Sequence, residues 1–461
     1  MRDFAPQIAF AYCAACVTPL ACSSTESGTL QLVTGQETDT FSQSPLPASL
    51  VVDSIDSSGN ATQVATASLP ANAVDLGSFD PTAAGIIQVS GYTAPADAGA
   101  TLGNRILAGQ SIVVLFGDLS GATLPVFIQR TDEMARLPNP PSDARPSPVT
   151  GVIEGRYVVV TGGADTALAP TTMVYDLGSF TPVSPALTLP ITPTSMAFVG
   201  FVGWLINDAG AYQYDFSSGT STSVTLPSGP SYLDISGGGT VSAPDGSQYI
   251  VGATRTTGAP TQAVLALDSN DNPSWLTLAN PRLGAAATWV PSVGLVVTGG
   301  SATAPGAEVI AVASTTGAST GSPYAYAPDP SVGAGAAALD GTHVLVAGGT
   351  LDDDGTSAGV RLIDLSCTSE CATQAWAPLG AAITGTQAFA IDPSSAVVVG
   401  SEPSSSTTPG LTHVYQLTSS ASTEVPTKVV HTQAAAIASP IGVVGSVLLF
   451  GGAPAIESLG L

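Results

Sequence analysis

The residues able to do chemistry are few and far apart. The run Leu351-Asp-Asp-Asp-Gly-Thr356 gathers three carboxylates, Asp352, Asp353 and Asp354, in one glycine-containing loop. Clustered oxygen ligands of this kind suit Ca²⁺, although the spaced ligands and distal Glu of an EF-hand loop are absent. The reading that competes with a Ca²⁺ or binding site is a solvated acidic loop. Asp268-Ser-Asn-Asp-Asn272 is of similar composition and reads as a turn between strands. Three histidines, His343, His413 and His431, and a single lysine, Lys428, complete the list of candidate bases and nucleophiles. No G-x-S-x-G elbow, H-E-x-x-H pair or P-loop is present. No catalytic residue and no metal centre are therefore assigned, and no cofactor beyond the Ca²⁺ alternative.

The cysteines speak of location. Cys13, Cys16 and Cys22 lie near the N-terminus, and Cys367 and Cys371 lie in Cys367-Thr-Ser-Glu-Cys371. A C-x3-C spacing is not the C-x2-C of a redox motif, and no second ligand pair exists for zinc. A local disulfide across a hairpin loop is expected, in keeping with an oxidising compartment. Arg2, the apolar stretch Ile8–Ala21 and the sequence Leu20-Ala21-Cys22 followed by Ser23 and Ser24 form an export-type segment too short to span a bilayer. This segment resembles a bacterial lipoprotein signal. The resemblance implies lipidation at Cys22, a tether over 23–27 and an outer-membrane or cell-surface location, with simple secretion as the alternative.

With 10 basic against 34 acidic residues, the formal net charge is -24. That balance excludes nucleic acid as a partner, since nothing here neutralises a run of phosphates. It also excludes a polybasic membrane-surface mode, so any membrane contact is through a lipid anchor alone. A hydrophobic fraction of 44% with 50 Gly and 36 Pro is ample for a core built from small residues and turns.

A repeat organises most of the chain. A β-branched run ending in two small residues recurs as Tyr157-Val-Val-Val-Thr-Gly-Gly163, Gly294-Leu-Val-Val-Thr-Gly-Gly300, His343-Val-Leu-Val-Ala-Gly-Gly349 and Ser446-Val-Leu-Leu-Phe-Gly-Gly452. Degenerate copies end at 208, 253 and 401, so the period is about 45 to 52 residues, that of four-stranded propeller blades. A strand ending in Asp follows several copies, as in Met173-Val-Tyr-Asp176 and Tyr212-Gln-Tyr-Asp215. A fourth strand carries Trp275 or Trp376. These features resemble the kelch family of β-propellers, with a di-glycine after the second strand, Tyr in the third and Trp in the fourth. The resemblance covers about residues 120–461 and implies seven blades. A copper-oxidase chemistry known on that fold needs two His ligands and a Tyr–Cys cross-link. Here the histidines fall on different strand types and the cysteines are paired, so that reading is set aside.

The expected architecture is all-β: a seven-bladed kelch-like propeller over 119–461, preceded by a small Ig-like β-sandwich over 28–118. An eighth, modified blade is the alternative for the first segment. Only nine residues follow Gly452, too few for two strands, so Val126–Leu137 is expected to close the ring as the outer strand of the last blade. The connections from second to third strands are long and polar, notably 164–172, 301–307, 350–359 and 402–412. The face they form, with Asp352, Asp353 and Asp354 on it, is expected to be the functional surface, unless these loops are mere spacers. The function expected is non-catalytic binding or scaffolding at a bacterial cell surface, with an extracellular protein or glycan as partner. An extracellular carbohydrate-directed enzyme is the alternative, because loops over a propeller's central depression can serve either role.

Overall fold

A computed structural model describes residues 28–461 apart from 78, 81, 96–101, 165–170, 253–258, 312–320, 352–354 and 406–407. Seven sheets of four antiparallel strands follow one another along the chain and form a seven-bladed propeller; the first of them carries a fifth short strand. Blade 1 opens with Val149–Ile153 and Tyr157–Thr161, and blade 7 ends on Ile456–Leu459. Among the described residues, helix is confined to a turn of 3-10 helix at Phe116–Leu119 and one α-turn at Tyr232–Ile235. None of the described helices is long and apolar enough to cross a membrane.

The second strand of each blade is the most deeply buried. Gly294–Thr298 and Val447–Phe450 have no exposed position. Continuous β-branched and aliphatic runs arise because both faces of this strand pack against neighbouring blades. Leu295 and Val297 meet the preceding blade, while Val296 meets the following one.

The two glycines that end this strand are fixed by geometry. Gly299 and Gly300 have φ of 75° and 72°, and Gly451 and Gly452 have 81° and 68°, values that L side chains rarely adopt. Space is closed as well: a Cβ on Gly452 would lie 2.1 Å from the carbonyl oxygen of Thr432. The turn frees the second glycine N–H to reach the next blade. Gly300 donates to Ser331 O, Gly349 to Ile383 O and Gly452 to Arg145 O, each at 2.9 Å.

Those three acceptors share one repeat position, four residues before the regular part of the innermost strand, which in blade 6 starts at Gln387 after a bulge. Its seven occupants are Arg145, Ile191, Ile235, Arg282, Ser331, Ile383 and His431. All but Ile191 are buried. The polar occupants also bond within their own blade. Arg282 donates to Gly299 O at 2.7 Å and to Glu308 Oε1 at 2.7 Å, with both side chains fully buried.

The ring closes as expected in kind, but with a shorter piece of chain. Met134–Arg136 pairs antiparallel with Ile456–Leu459, in the register Glu457↔Arg136 and Leu459↔Met134. The rest of the expected closing segment belongs elsewhere. Thr123–Arg130 pairs with Arg105–Gln110 and, in parallel, with Thr29–Val33. Its unbroken apolar pattern has a simple origin: Val126 and Ile128 enter the core of the N-terminal unit, while Phe127 packs on the propeller core beside Phe180 and Phe450. Asp132, at φ 60°, turns the chain between the two sheets. The N-terminal unit therefore runs to Arg130, past the boundary expected at 118.

That unit is a β domain with its own core, built around Leu30, Leu50, Val52, Ile87 and Leu107. Its strands join in the order Ala61–Ser68, Ser49–Asp56, Ala84–Tyr92, Arg105–Gln110, Thr123–Arg130, Thr29–Val33, Ala73–Asp75. The sheet curls in a barrel-like manner until its ends approach, where Gly77 N–H donates to Val64 O at 3.1 Å. The hairpin at Asp56–Asn60 forms as its sequence indicates, with Asp56 Oδ1 accepting the N–H of Ser58 and of Asn60 at 2.8 and 2.9 Å.

The di-glycine constraint separates strain from collision. Gly59 has φ 81° with nothing within 4 Å of a Cβ, so Gly59→Ala is expected to destabilise by about 1 kcal/mol. Gly452→Ala adds a backbone collision and is expected to lose more than about 3 kcal/mol. Urea unfolding of both variants checks this; equal losses would show that the turn tolerates a side chain.

Candidate functional site

The innermost strands of the seven blades surround a channel of about 840 Å³. Small side chains dominate it because seven strands converge on one axis. Blades 4 and 5 contribute only alanine and glycine, through Ala285–Ala287 and Ala334–Ala336. Blades 1 to 3 and 6 contribute hydroxyls and amides, including Thr150, Thr240, Ser242, Gln248 and Gln387. Several of these groups already bond across the wall. Thr240 Oγ1 donates to Met196 O at 2.8 Å, and Gln387 Oε1 accepts the Ala436 N–H at 2.6 Å. No Asp, Glu, Lys, Arg, His, Cys or Tyr is among the residues lining the channel. In a chain of net charge -24, this wall is chemically neutral: it can hydrogen-bond and make van der Waals contact, but its own side chains cannot transfer a proton.

The sequence-selected residues do not converge. Asp352, Asp353 and Asp354 lie outside the described residues, as does Cys22. The flanks of the acidic run form a narrow stem, with Leu351 N–H donating to Gly355 O at 2.7 Å and Thr350 bridged to Thr356. Residues 301–307, expected as a loop, are instead part of the long third strand Ser301–Ile310, with bulges at its first half. Bulging accommodates Pro305, which cannot donate to a ladder.

Each histidine has its own carboxylate. His343 Nδ1 lies 2.9 Å from Asp340 Oδ2 in blade 5. His413 sits between Glu424 at 2.7 Å and Glu402 at 3.4 Å in blade 6. His431 contacts Glu457 at 3.3 Å in blade 7. Among the described residues no group of three His, Cys, Asp or Glu is placed to hold a metal ion. Asp268-Ser-Asn-Asp-Asn272 is a turn, as expected, with Asp268 Oδ1 accepting the N–H of Asn270 and Asn272. Asp271 within it has another task. It accepts from Trp204 Nε1 and from Gln213 Nε2 of blade 2, and burial pushes its carboxyl up against those two donors.

Cys367 and Cys371 are bonded to each other. Their loop docks on the outer strand of blade 4: Cys371 N–H donates to Ala325 O at 3.1 Å, and Tyr326 Oη bonds both N–H and O of Asp364. The disulfide thus closes a loop of blade 5 that hydrogen bonds hold against blade 4.

Charge is distributed by sign. Every described arginine and lysine has a partner within the chain, as with Arg136–Glu37, Arg156–Asp176, Arg361–Asp329 and Lys428–Glu133, and exposed Arg105 bonds the carbonyl of Leu461. The carboxylates left over cluster at strand turns, where they cap backbone N–H groups. Asp340 is held down to about 2: its slight burial acts the other way but is outweighed by hydrogen bonds from Thr342 and His343. Asp215 and Asp392 are lowered by the hydroxyls of Ser217 and Ser394 and by backbone donors.

No family model matches this chain, and no curated protein matches it. Among solved structures, a fungal alcohol oxidase of the AA5 family in complex with copper is similar over 70% of this chain and 74% of its own, at 16% identity and a TM-score of 0.45. A luciferin-regenerating enzyme is similar over 63% of this chain and 97% of its own, at 11% identity and a TM-score of 0.37. Both TM-scores lie below 0.5, and neither likeness bears on function.

The buried charges yield a test of what they contribute. Arg282→Ala leaves Glu308 buried and unpaired, and is expected to lose about 3 to 5 kcal/mol. The pair of substitutions Arg282→Met with Glu308→Leu is expected to recover most of that loss. Chemical denaturation of single and double variants measures the difference; a double variant as weak as the single one would mean that the carbonyl bonds to Gly299 and Pro305, not the ion pair, hold the connector.

Proposed function

We propose that this protein is a non-catalytic binding or scaffold protein of the kelch-like propeller type, exported and held at a bacterial cell surface through lipidation of Cys22. The observation that carries the binding reading is the neutral channel. A site in which hydroxyl and amide groups alternate with alanine-lined stretches suits an uncharged, polyhydroxylated ligand such as a neutral glycan, whose C–H faces pack on apolar surface while its hydroxyls exchange hydrogen bonds. The surplus of surface carboxylates disfavours anionic ligands over the approach to that channel. The second-to-third face, with Asp352, Asp353 and Asp354, is the other surface available to a protein partner or to Ca²⁺.

Screening the full chain against neutral glycans, charged glycans and peptides is the decisive measurement. Neutral glycans are expected to bind saturably without turnover. Thr240→Trp and Ala336→Trp, each filling the channel, are expected to weaken that binding by tenfold or more, about 1.4 kcal/mol, with an unchanged melting temperature. Binding that survives both substitutions but is lost on replacing Asp352, Asp353 and Asp354 by Asn would move the site to the loops. Product formation would replace the binding reading with the carbohydrate-directed enzyme. For location, Cys22→Ser is expected to abolish membrane partitioning of the processed protein. Unaltered partitioning of that variant would remove lipidation from the proposal.

A further inference from the structure

The repeat position four residues before the innermost strand holds arginine in blades 1 and 4 and histidine in blade 7. The likeness between blades 4 and 7 is close. Arg282 donates to Gly299 O and to Glu308, and His431 Nδ1 lies 2.7 Å from Gly451 O while its Nε2 faces Glu457 Oε1 at 3.3 Å. Glu308 and Glu457 occupy the same register on the third strand, opposite Val297 and Leu449. All four side chains are fully buried.

Arginine makes both bonds at any ordinary pH. Imidazole makes both only when doubly protonated. Gly451 O is purely an acceptor, so the nitrogen beside it, Nδ1, must carry a hydrogen. Nε2 then points at a carboxylate oxygen that also accepts. Without a further proton between them, two lone pairs face each other in a site closed to water.

We propose that His431 and Glu457 form a proton-operated latch on the blade that closes the ring. With the proton bound, the connector before blade 7 is held to the C-terminal strand Ile456–Leu459 as Arg282 holds blade 4. With the proton lost, the contact turns repulsive, and the strand that pairs with Met134–Arg136 is loosened.

The surrounding charges favour this assignment. Glu457 also accepts the N–H of Lys428 and of Val429, both at 2.8 Å, and lies opposite Arg136 in the clasp. Both carboxylate oxygens thus already accept backbone hydrogens, and the one facing Nε2 is presented to it as an acceptor. Arg136 is paired with Glu37, the Lys428 ammonium with Glu133, and Arg145 from blade 1 with Asp143. From blade 6, His413 is paired with Glu424 and Glu402, and Thr412 N–H donates to His431 O at 3.0 Å. Arg136 feels the charge of Glu457, but its guanidinium is bonded to Glu37. The sign follows: a proton held more tightly by the folded state stabilises in acid, and that stabilisation is lost as pH rises. The innermost strand of this blade, Ala435–Ala438, lines the channel, so the latch acts on a wall of that site whatever the site binds.

Amide hydrogen exchange of the full chain, corrected for intrinsic rates, tests the latch between about pH 5 and pH 8. Protection of Ile456–Leu459 and Met134–Arg136 is expected to fall by about tenfold or more as pH rises. Protection of Gln248–Val251 in blade 3, where Ile235 fills the equivalent position, is expected to hold. His431→Arg should abolish the difference between the blades. Should that variant not fold, Glu457→Gln, which supplies an amide donor to Nε2, should abolish it too. An equal pH response in blades 3 and 7, or a blade 7 response that survives in His431→Gln, overturns the proposal.

Discussion

In blades 4, 5 and 7 the seam to the next blade depends on a turn that glycine makes. At the end of the second strand the chain must reverse within two residues while its second N–H reaches across to the next blade. Gly300, Gly349 and Gly452 do this with positive φ, and each donates to a carbonyl in the neighbouring connector. The bond is between backbones, so it sets blade-to-blade spacing independently of which side chains fill the interface. Side chains then complete the seam. Where the connector carries isoleucine, as in blades 3 and 6, apolar packing suffices. Where it carries arginine or histidine, the first glycine carbonyl is bonded; in blades 4 and 7 a carboxylate on the third strand is brought into the interior as well, whereas Arg145 of blade 1 pairs with Asp143 of its own connector.

Basic residues are scarce here and are spent on the inside. Arg145 and Arg282 are buried in connectors, Arg130 holds the carbonyls of Gln43 and Pro45, and Lys428 lies at the join between the N-terminal unit and the propeller. Fixed geometry makes guanidinium a good rivet, because several donors leave one plane and reach several acceptors at once. Acidic residues have the opposite distribution. Asp56, Asp215, Asp268 and Asp392 cap turns at the surface through bonds to N–H groups two to four residues on. The large negative charge is thus mostly a by-product of a fold with many tight turns, each needing a short acceptor side chain. A neutral channel runs through the middle of this charged shell, and that contrast directs the functional reading toward an uncharged ligand.

The join of the two domains is also the join of the ring. Thr123–Arg130 is a strand of the N-terminal sheet on one face and a wall of the propeller core on the other, through Phe127. The strand ends at Arg130, the chain turns at Asp132, and Met134–Arg136 becomes the last strand of blade 7. The seam that every circular fold must close is therefore stitched by the segment that also positions the other domain.

Sequence by itself determined the number of blades, the order of strands within them, the disulfide and the fact that an N-terminal strand closes the ring. Each follows from local physics repeated at a fixed period: β-branched runs, di-glycine turns, Asp at strand ends, and a C-x3-C spacing too short to reach elsewhere. What the tertiary structure decided are the relations between repeats. Aligning the copies on their glycines places Arg145 and Arg282 in one column but leaves His431 three residues out of it, because the turn before Ser446 is longer in blade 7; nothing local says that this position is buried or that Glu308 and Glu457 lie opposite it. The segment from Val126 to Leu137 reads as one strand because burial on two faces leaves no periodic signal in its apolar start, and only packing divides it at Asp132. The channel wall was equally silent: alanine, glycine and threonine look alike in any strand, and their neutrality acquires meaning only when seven of these strands are brought around one axis.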